Sequence, residues 1–240
     1  MWIYNASIGV IIMNKIYRYN ELGKGNYSWL KTSYHFSFAN YYNSNKVHLG
    51  PLRVINDDYI APHTGFDTHP HNDMEIITYI VSGTLTHKDS MGNEMNLGPG
   101  GVQYMSAGTG ITHSEHNKHD EELHLYQIWL FPTMKNLKPN YGDITFEDDL
   151  KKNTLLKMVG SHESQAVIKI NQHASIEAGK FDKDTTVTID LENFSNFYLI
   201  VIDGEFSVGD DVVKKGDALE GDSNTILNFN KESHVLMIKV

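Results

Sequence analysis

The sequence predicts an all-β protein made of two β-barrels in one chain, with little helix. Short runs rich in valine, isoleucine, tyrosine, phenylalanine and threonine recur along the 240 residues, and glycine, asparagine or aspartate separates them. Two stretches, YIVSGTLTHKDSMGNEMNLGPGGV and LIVIDGEFSVGDDVVKKGDAL, also repeat the same order of strands and glycine turns. A duplicated β-barrel accounts for both observations.

Nine runs carry the strand pattern, and one short segment carries a helical pattern. Thr145 and Asp148 have the character of an N-cap and a first-turn acid, which predicts a helix from Phe146 to Lys152. The predicted strands are KVHLGPLRVI (46–55), EIITYIVSG (75–83), TLTHKDS (84–90), GGVQYMSAG (100–108), HLYQIWLF (124–131), TTVTIDL (185–191), FYLIVID (197–203), EFSVGD (205–210) and HVLMIKV (234–240).

A linker-like segment separates the two predicted barrels. PTMKNLKPNYG, residues 132–142, contains two prolines and no apolar alternation. We therefore expect an N-terminal barrel over residues 13–135 and a C-terminal barrel over residues 136–240. Residues 1–12, MWIYNASIGVII, are too few to span a bilayer and lack the basic start of a signal peptide. Because more domain-like sequence begins at Met13, we expect residues 1–12 to be a non-native or disordered extension.

Charge and composition exclude several classes of function. Twenty basic and thirty acidic residues give a net charge of −10, which repels nucleic acid and anionic lipid. The chain has no cysteine, so disulfides, thiolate metal sites and thiol nucleophiles are excluded, and any metal must be bound by nitrogen and oxygen. We expect a cytoplasmic monomer that contacts neither nucleic acid nor membrane directly.

Two short pairs of polar residues predict a metal site in the N-terminal barrel. His69 and His71 are two residues apart, as are His113 and Glu115, and residues i and i+2 of a strand point to the same face. Pro70 cannot donate a ladder hydrogen bond, so HPH should begin a strand or lie at an edge. Three imidazoles and one carboxylate suit a divalent transition metal, and on an octahedral ion they leave two positions open. The structural alternative is a pair of polar residues at a strand edge.

Other polar residues near these pairs are weaker candidates for metal ligands. Glu75 is either a further ligand or general base, or a residue that orients a ligating imidazole by hydrogen bonding, and we favour the second role. The remaining histidines of this region are expected to be structural, in the case of His63 and His87, or on the surface, in the case of His116, His119 and His124. The C-terminal repeat has Asp190, Glu192 and Asn228 at the positions that match the two pairs, so we expect no metal there.

THPHNDMEIITYIVSGTLTHKDSMGN (68–93) and GGVQYMSAGTGITHSE (100–115) resemble the pirin family of bicupins, in particular a bacterial branch linked to quercetin 2,3-dioxygenase activity. The resemblance covers nearly everything from Met13 onward. It implies two cupin barrels of the jelly-roll type, with one metal ion in the N-terminal barrel only. The implied ligands are His69, His71, His113 and Glu115.

The resemblance also implies an activity, which is the oxidative cleavage of a flavonol such as quercetin by dioxygen at this metal. Glu115 would ligate the ion and accept the proton of the flavonol 3-hydroxyl group, while Phe66, Met74 and Met105 would line the mouth of the pocket. Iron(II) is the expected ion, and nickel, manganese, copper, cobalt and zinc are the alternatives. The alternative function is a non-enzymatic, metal-dependent regulatory or binding protein, as animal pirins are thought to be.

Overall fold

The computed structural model describes residues 14–146, 150 and 152–240. Apart from one 3₁₀ turn at Tyr19–Glu21, the regular elements of these residues are β-strands, so the all-β prediction is confirmed. The strands of the N-terminal half are β1 Lys15–Tyr17, β2 Gly23–Asn26, β3 Leu30–Tyr34, β4 Leu52–Ile60, β5 Thr64–His71, β6 Glu75–Ser82, β7 Leu85–Asp89, β8 Glu94–Leu97, β9 Gly101–Ser106, β10 Ile111–Asn117, β11 Leu123–Leu130 and β12 Asn140–Thr145.

The C-terminal half continues in the same way. Its strands are β13 Leu156–Ser161, β14 Ile168–Ile170, β15 Ser175–Phe181, β16 Thr186–Ile189, β17 Phe197–Asp203, β18 Glu205–Val208, β19 Asp211–Lys214, β20 Ala218–Gly221, β21 Thr225–Phe229 and β22 Ser233–Lys239. No helix in the described part of the chain is long and apolar enough to cross a membrane.

Two predictions fall wholly or largely on residues outside this description. The predicted extension at residues 1–12 is outside it altogether. Of the predicted helix from Phe146 to Lys152, residues 147–149 and 151 are also outside it, and the described part contains one helix-like hydrogen bond, from the Leu150 N–H to the Phe146 carbonyl at 3.0 Å. The predicted strand at 46–55 was placed too early, because the regular strand there begins at Leu52.

Each barrel consists of a seven-stranded and a four-stranded sheet. In the N-terminal barrel the strand orders are β12-β9-β6-β11-β4-β3-β2 and β5-β10-β7-β8, and in the C-terminal barrel they are β1-β20-β17-β22-β15-β13-β14 and β16-β21-β18-β19. The strand β5 that carries the HPH sequence is an edge strand, as expected from Pro70, because an edge position does not need the missing N–H.

Two strands pair across the predicted boundary between residues 135 and 136. β1 joins the sheet of the C-terminal barrel, where Ile16 pairs with Leu219 of β20. β12 joins the sheet of the N-terminal barrel, where Gly142 pairs with Tyr104 of β9. The division at 135 and 136 stays a prediction, and the two barrels exchange strands around it.

The large sheets of the two barrels share one apolar core. Tyr79 and Tyr126 of the N-terminal sheet belong to the same buried cluster as Tyr198 and Ile200 of the C-terminal sheet. The central strand β6 is therefore buried on both faces along most of its length, which explains why its sequence is a continuous apolar run and not an alternating one. This packing leaves the small sheet of the N-terminal barrel, with β5, β10 and β7, facing outward.

Candidate metal centre

The two histidine-containing strands are direct neighbours. β5 pairs antiparallel with β10, in a register that places His69 opposite His113 and His71 opposite Ile111. The ring centroids of His69, His71 and His113 lie 4.5 to 4.9 Å apart. One donor atom from each of the three rings lies within 4.8 Å of the other two. The structure thus brings the three predicted imidazoles to one place.

A β-bulge in β5 adjusts the register beside this cluster. His113 pairs with His69, but Glu115, two residues later, pairs with Phe66, so Asp67 and Thr68 together oppose one residue of β10. The bulge lets Phe66 and His69 occupy successive pairs on β10 although they are three residues apart. Spacing in the sequence alone does not reveal it.

Glu115 is more deeply buried than His69 and His71. Its carboxylate is 1% exposed and accepts hydrogen bonds from Thr78 Oγ1 at 3.3 Å, Gln103 Nε2 at 3.1 Å and Gln127 Nε2 at 2.6 Å. One carboxylate oxygen of Glu115 and one ring nitrogen each of His113 and His87 lie within 4.8 Å of one another. The site therefore consists of two triads that share His113. We call His69, His71 and His113 the outer triad, and His87, His113 and Glu115 the inner triad.

The protonation states of these groups favour metal binding at neutral pH. Burial, helped by the nearby His113 and His69, lowers the pKa of His71 to about 4, and burial also lowers the pKa of His113. Burial alone would raise the pKa of Glu115, but His113, His87 and the hydrogen bond from Gln127 together lower it below its usual value. Neutral imidazoles and an ionised carboxylate are the forms that ligate a cation.

Unpartnered nitrogen atoms show that a metal ion fits this site. His113 is 1% exposed, and neither Nδ1 nor Nε2 has a hydrogen-bond partner; Nδ1 of His87 is buried and unpartnered as well. A buried polar atom without a partner costs free energy, and a cation that accepts its lone pair removes that cost. The donors are nitrogen and oxygen, which suits iron, nickel, cobalt, manganese, copper or zinc.

An open cleft of about 550 Å³ leads to the outer triad through His71. The predicted mouth residues are not among those that line this cleft: Met105 is fully buried with Met74 packed against its cluster, and Phe66 packs edge-on against Trp29 at 5.0 Å, with its ring 6.3 Å from that of His69. The lining residues of the cleft are Pro70, His71, Asn72, Ser90, Thr109, Gly110, Ile111 and Thr112.

Glu75 holds the two barrels together in this structure. Its carboxylate is 1% exposed and accepts hydrogen bonds from the Tyr104 hydroxyl at 2.9 Å, the Ser106 hydroxyl at 2.6 Å and the backbone N–H of Asn171 at 2.9 Å. Among the described residues, none of its hydrogen bonds reaches a histidine of the site. A role in orienting a ligating imidazole stays a prediction.

The structure corrects the expectation for His124, which is buried and not on the surface. Its Nε2 lies 2.6 Å from Asp57 Oδ1, and its ring stacks on Tyr59 at 4.0 Å. His116 is partly exposed beside Asp67, and His63 is exposed and contacts Asp120. These histidines, which are close together in the sequence or the fold, therefore differ in exposure and in hydrogen-bond partners.

Sequence reasoning expected His87 to be structural and did not place it beside Glu115. The signal that finds it is the register of β7 against β10, in which His87 is directly opposite Glu115. Both metal-compatible clusters found among the described residues lie in the N-terminal barrel. The expectation that the C-terminal barrel binds no metal stays a prediction.

Both barrels match families of known proteins. The model of the pirin family matches residues 16–130, and that of the quercetinase C-terminal cupin domain matches residues 158–240. A protein of Escherichia coli K12 named quercetin 2,3-dioxygenase is 38% identical over 221 residues, which are 91% of this chain and 94% of that protein. A pirin-like protein of Caulobacter vibrioides is 38% identical over 191 residues, covering 79% of this chain and 82% of that one.

A solved structure has the same fold over nearly the whole chain. The bacterial pirin YhhW of Escherichia coli, crystallised in complex with nickel(II), matches with a TM-score of 0.88 at 34% identity, covering 95% of this chain and 99% of that one. The two cupin barrels implied by the resemblance are thereby confirmed. Matched in both barrels and along nine tenths of its length, this chain belongs to the pirin family.

Proposed function

We propose that the protein is a metal-dependent dioxygenase of the pirin type that cleaves flavonols such as quercetin. The observation that carries the proposal is the group of buried, unpartnered imidazole nitrogens beside an ionised glutamate, next to an open cleft. A structural metal site would be closed on all sides, whereas a catalytic one needs access for a substrate. The relatives named quercetin 2,3-dioxygenase support the choice of substrate class.

His69, His71, His113 and Glu115 would hold one divalent ion, and we propose iron(II) as the ion in the cell. Such an ion acidifies a bound hydroxyl group and lets the flavonol react with dioxygen. The reaction consumes one dioxygen and releases one carbon monoxide for each flavonol cleaved. Elemental analysis of protein purified without a chelator and without nickel affinity chromatography tests the identity of the ion.

The protein's own groups would move the substrate proton and orient the site. Glu115 is ionised and would accept the proton of the 3-hydroxyl group. Trp129 packs edge-on against His71 at 4.9 Å and fixes that ring beside the cleft. The cleft, whose lining includes Ser90, Thr109 and Thr112 beside Ile111, would receive the hydroxylated rings of a flavonol.

The test is the simultaneous consumption of quercetin and dioxygen by the metal-loaded protein. We expect His113→Ala to abolish both metal content and turnover, because His113 belongs to both triads. His124→Gln is the matched control: it removes another buried histidine of the same barrel that lies in neither triad, and it should retain both. Metal-loaded protein that turns over no flavonol would contradict the proposal and favour the regulatory or binding role.

A further inference from the structure

Asp73 connects two walls of the cleft that leads to His71. One wall consists of residues 70–72, at the end of β5, and the other of residues 109–112, at the start of β10. The backbone N–H of Asp73 donates to the Gly108 carbonyl at 2.9 Å, so it joins the loop after β5 to the loop before β10. The spacing of the two walls therefore depends on this junction.

A third segment is hydrogen-bonded to both walls. Residues 136–138, which we call the strap, belong to the connection between the two barrels. The Asn136 N–H donates to Asp73 Oδ1 at 2.6 Å, and the Thr109 N–H donates to the Leu137 carbonyl at 2.8 Å. Together with the bond between the two loops, these contacts close the three segments into a ring of hydrogen bonds.

The strap is also held by close packing and by the C-terminal barrel. A Cβ atom at Gly108 would overlap the Leu137 carbonyl oxygen, so the strap lies directly on the loop before β10. Just before the strap, the Thr133 N–H donates to the carbonyl of Asn171 at 2.9 Å, and the N–H of Asn171 donates to Glu75. Asn171 follows β14 of the C-terminal barrel, which therefore helps to place the strap against the cleft.

The backbone of Asp73 allows the effect of its side chain to be isolated. Its φ of 48° lies in the left-handed region, which glycine adopts without strain and asparagine tolerates. Asp73→Gly thus removes the acceptor for the strap and keeps the backbone conformation accessible, whereas Asp73→Asn keeps an acceptor oxygen. Asp184 in the C-terminal barrel has a φ of 65°, so Asp184→Gly makes the same change away from the cleft.

We propose that Asp73 is a positioning residue for the substrate, which holds the strap and thereby fixes the spacing of the two cleft walls. Through the strap, the C-terminal barrel takes part in substrate selection. The inference rests on the proposed function, because it takes a flavonol as the molecule that the cleft receives. Loss of the contact should weaken substrate binding and leave the metal content unchanged, since no proposed metal ligand is replaced.

The test is the binding of quercetin to the iron(II)-loaded protein under nitrogen, measured from the absorption change of quercetin. We expect Asp73→Gly to raise the Kd about 3- to 10-fold, the effect of losing one hydrogen bond, at unchanged iron content. Asp73→Asn and the control Asp184→Gly should bind quercetin like the unsubstituted protein. Trypsin should cleave the bond between Lys135 and Asn136 faster in Asp73→Gly alone, because the N–H of that bond loses its acceptor.

Equal Kd values for Asp73→Gly and the unsubstituted protein would overturn the proposal. Binding by Asp73→Asn as weak as that by Asp73→Gly, or a loss of iron from Asp73→Gly, would overturn it as well. The outcomes also separate the two proposals. Quercetin that binds with the expected differences but is not cleaved when dioxygen is admitted contradicts the dioxygenase function alone. Normal cleavage with equal Kd values contradicts the role of Asp73 alone, and a protein that binds no quercetin contradicts both.

Discussion

At the scale of single residues, Gln127 connects two parts of the metal centre through hydrogen bonds. Its Nε2 donates to Glu115 Oε2 at 2.6 Å, and its Oε1 accepts from Trp129 Nε1 at 3.0 Å. Trp129 in turn packs against His71. One buried amide therefore orients the carboxylate and, through the indole, one ring of the outer triad.

Replacing Gln127 by leucine should weaken metal binding while the fold is kept. Leucine has similar volume but donates no hydrogen bond, so Glu115 and Trp129 both lose their partner. We expect cobalt(II) or nickel(II) affinity to fall about 10- to 100-fold, as measured by isothermal titration calorimetry. Gln172→Leu is the control, because Gln172 bonds to the Phe131 carbonyl away from the site. Equal affinities of the two variants would show that Gln127 does not support the centre.

At the scale of elements, the close contact of β5 with β10 sets the geometry of the outer triad. Gly65 lies where these strands touch: a Cβ atom there would overlap the backbone carbonyl oxygen of Glu115 and lie 2.5 Å from Cα of His116. Any side chain at this position pushes the edge strand away from its partner. The glycine therefore keeps His69 and His71 within reach of His113.

We expect Gly65→Ala to destabilise the protein by about 1–3 kcal/mol, the usual cost of overpacking, and to weaken metal binding. Urea unfolding and metal titration measure the two effects. Gly142→Ala on β12 is the matched control, since its Cβ would meet nothing within 4 Å. If both variants unfold at the same urea concentration, the proposed strain between β5 and β10 does not exist.

The sequence predicted as much of the site as local periodicity allows. The spacing of two residues placed His69 with His71, and His113 with Glu115, and the strands around them were recognised from their composition. The bulge opposite Ser114, the pairing of His87 with Glu115 and the burial of His124 depend on which strands become neighbours. Those contacts join residues that are distant along the chain, so local sequence patterns do not predict them.

At the scale of the whole molecule, two histidines link the two barrels. His35 Nδ1 lies 3.1 Å from the Tyr198 hydroxyl, and His234 Nε2 lies 2.9 Å from the Tyr79 hydroxyl. Burial lowers the pKa of His35 to about 3 and that of His234 to about 4. Both rings are therefore neutral in the folded protein at mildly acidic pH, when the unfolded chain already binds protons.

This difference predicts that acid weakens the metal-free protein. Above pH 6.5 these rings are neutral in both the folded and the unfolded state, so they do not lower the free energy of unfolding. As the pH falls from about 6.5 to about 4, only the unfolded state gains the protons, so the free energy of unfolding decreases. Urea unfolding at several pH values across this range measures how steeply the free energy of unfolding depends on pH. This dependence should be smaller in His234→Gln than in the unsubstituted protein or in the exposed control His48→Gln. Identical slopes in all three proteins would contradict the prediction.

The pairing of β1 with β20 imposes an order on how the chain can assemble. Arg18 and Asp217, 199 positions apart in the sequence, form a 2.8 Å ion pair beside this strand pair, so β1 docks only after β20, about 200 residues later, has been made. Until β1 docks, β20 has an open edge, and such an edge is prone to pairing with other molecules. We expect a C-terminal half expressed without residues 14–19 to aggregate during synthesis.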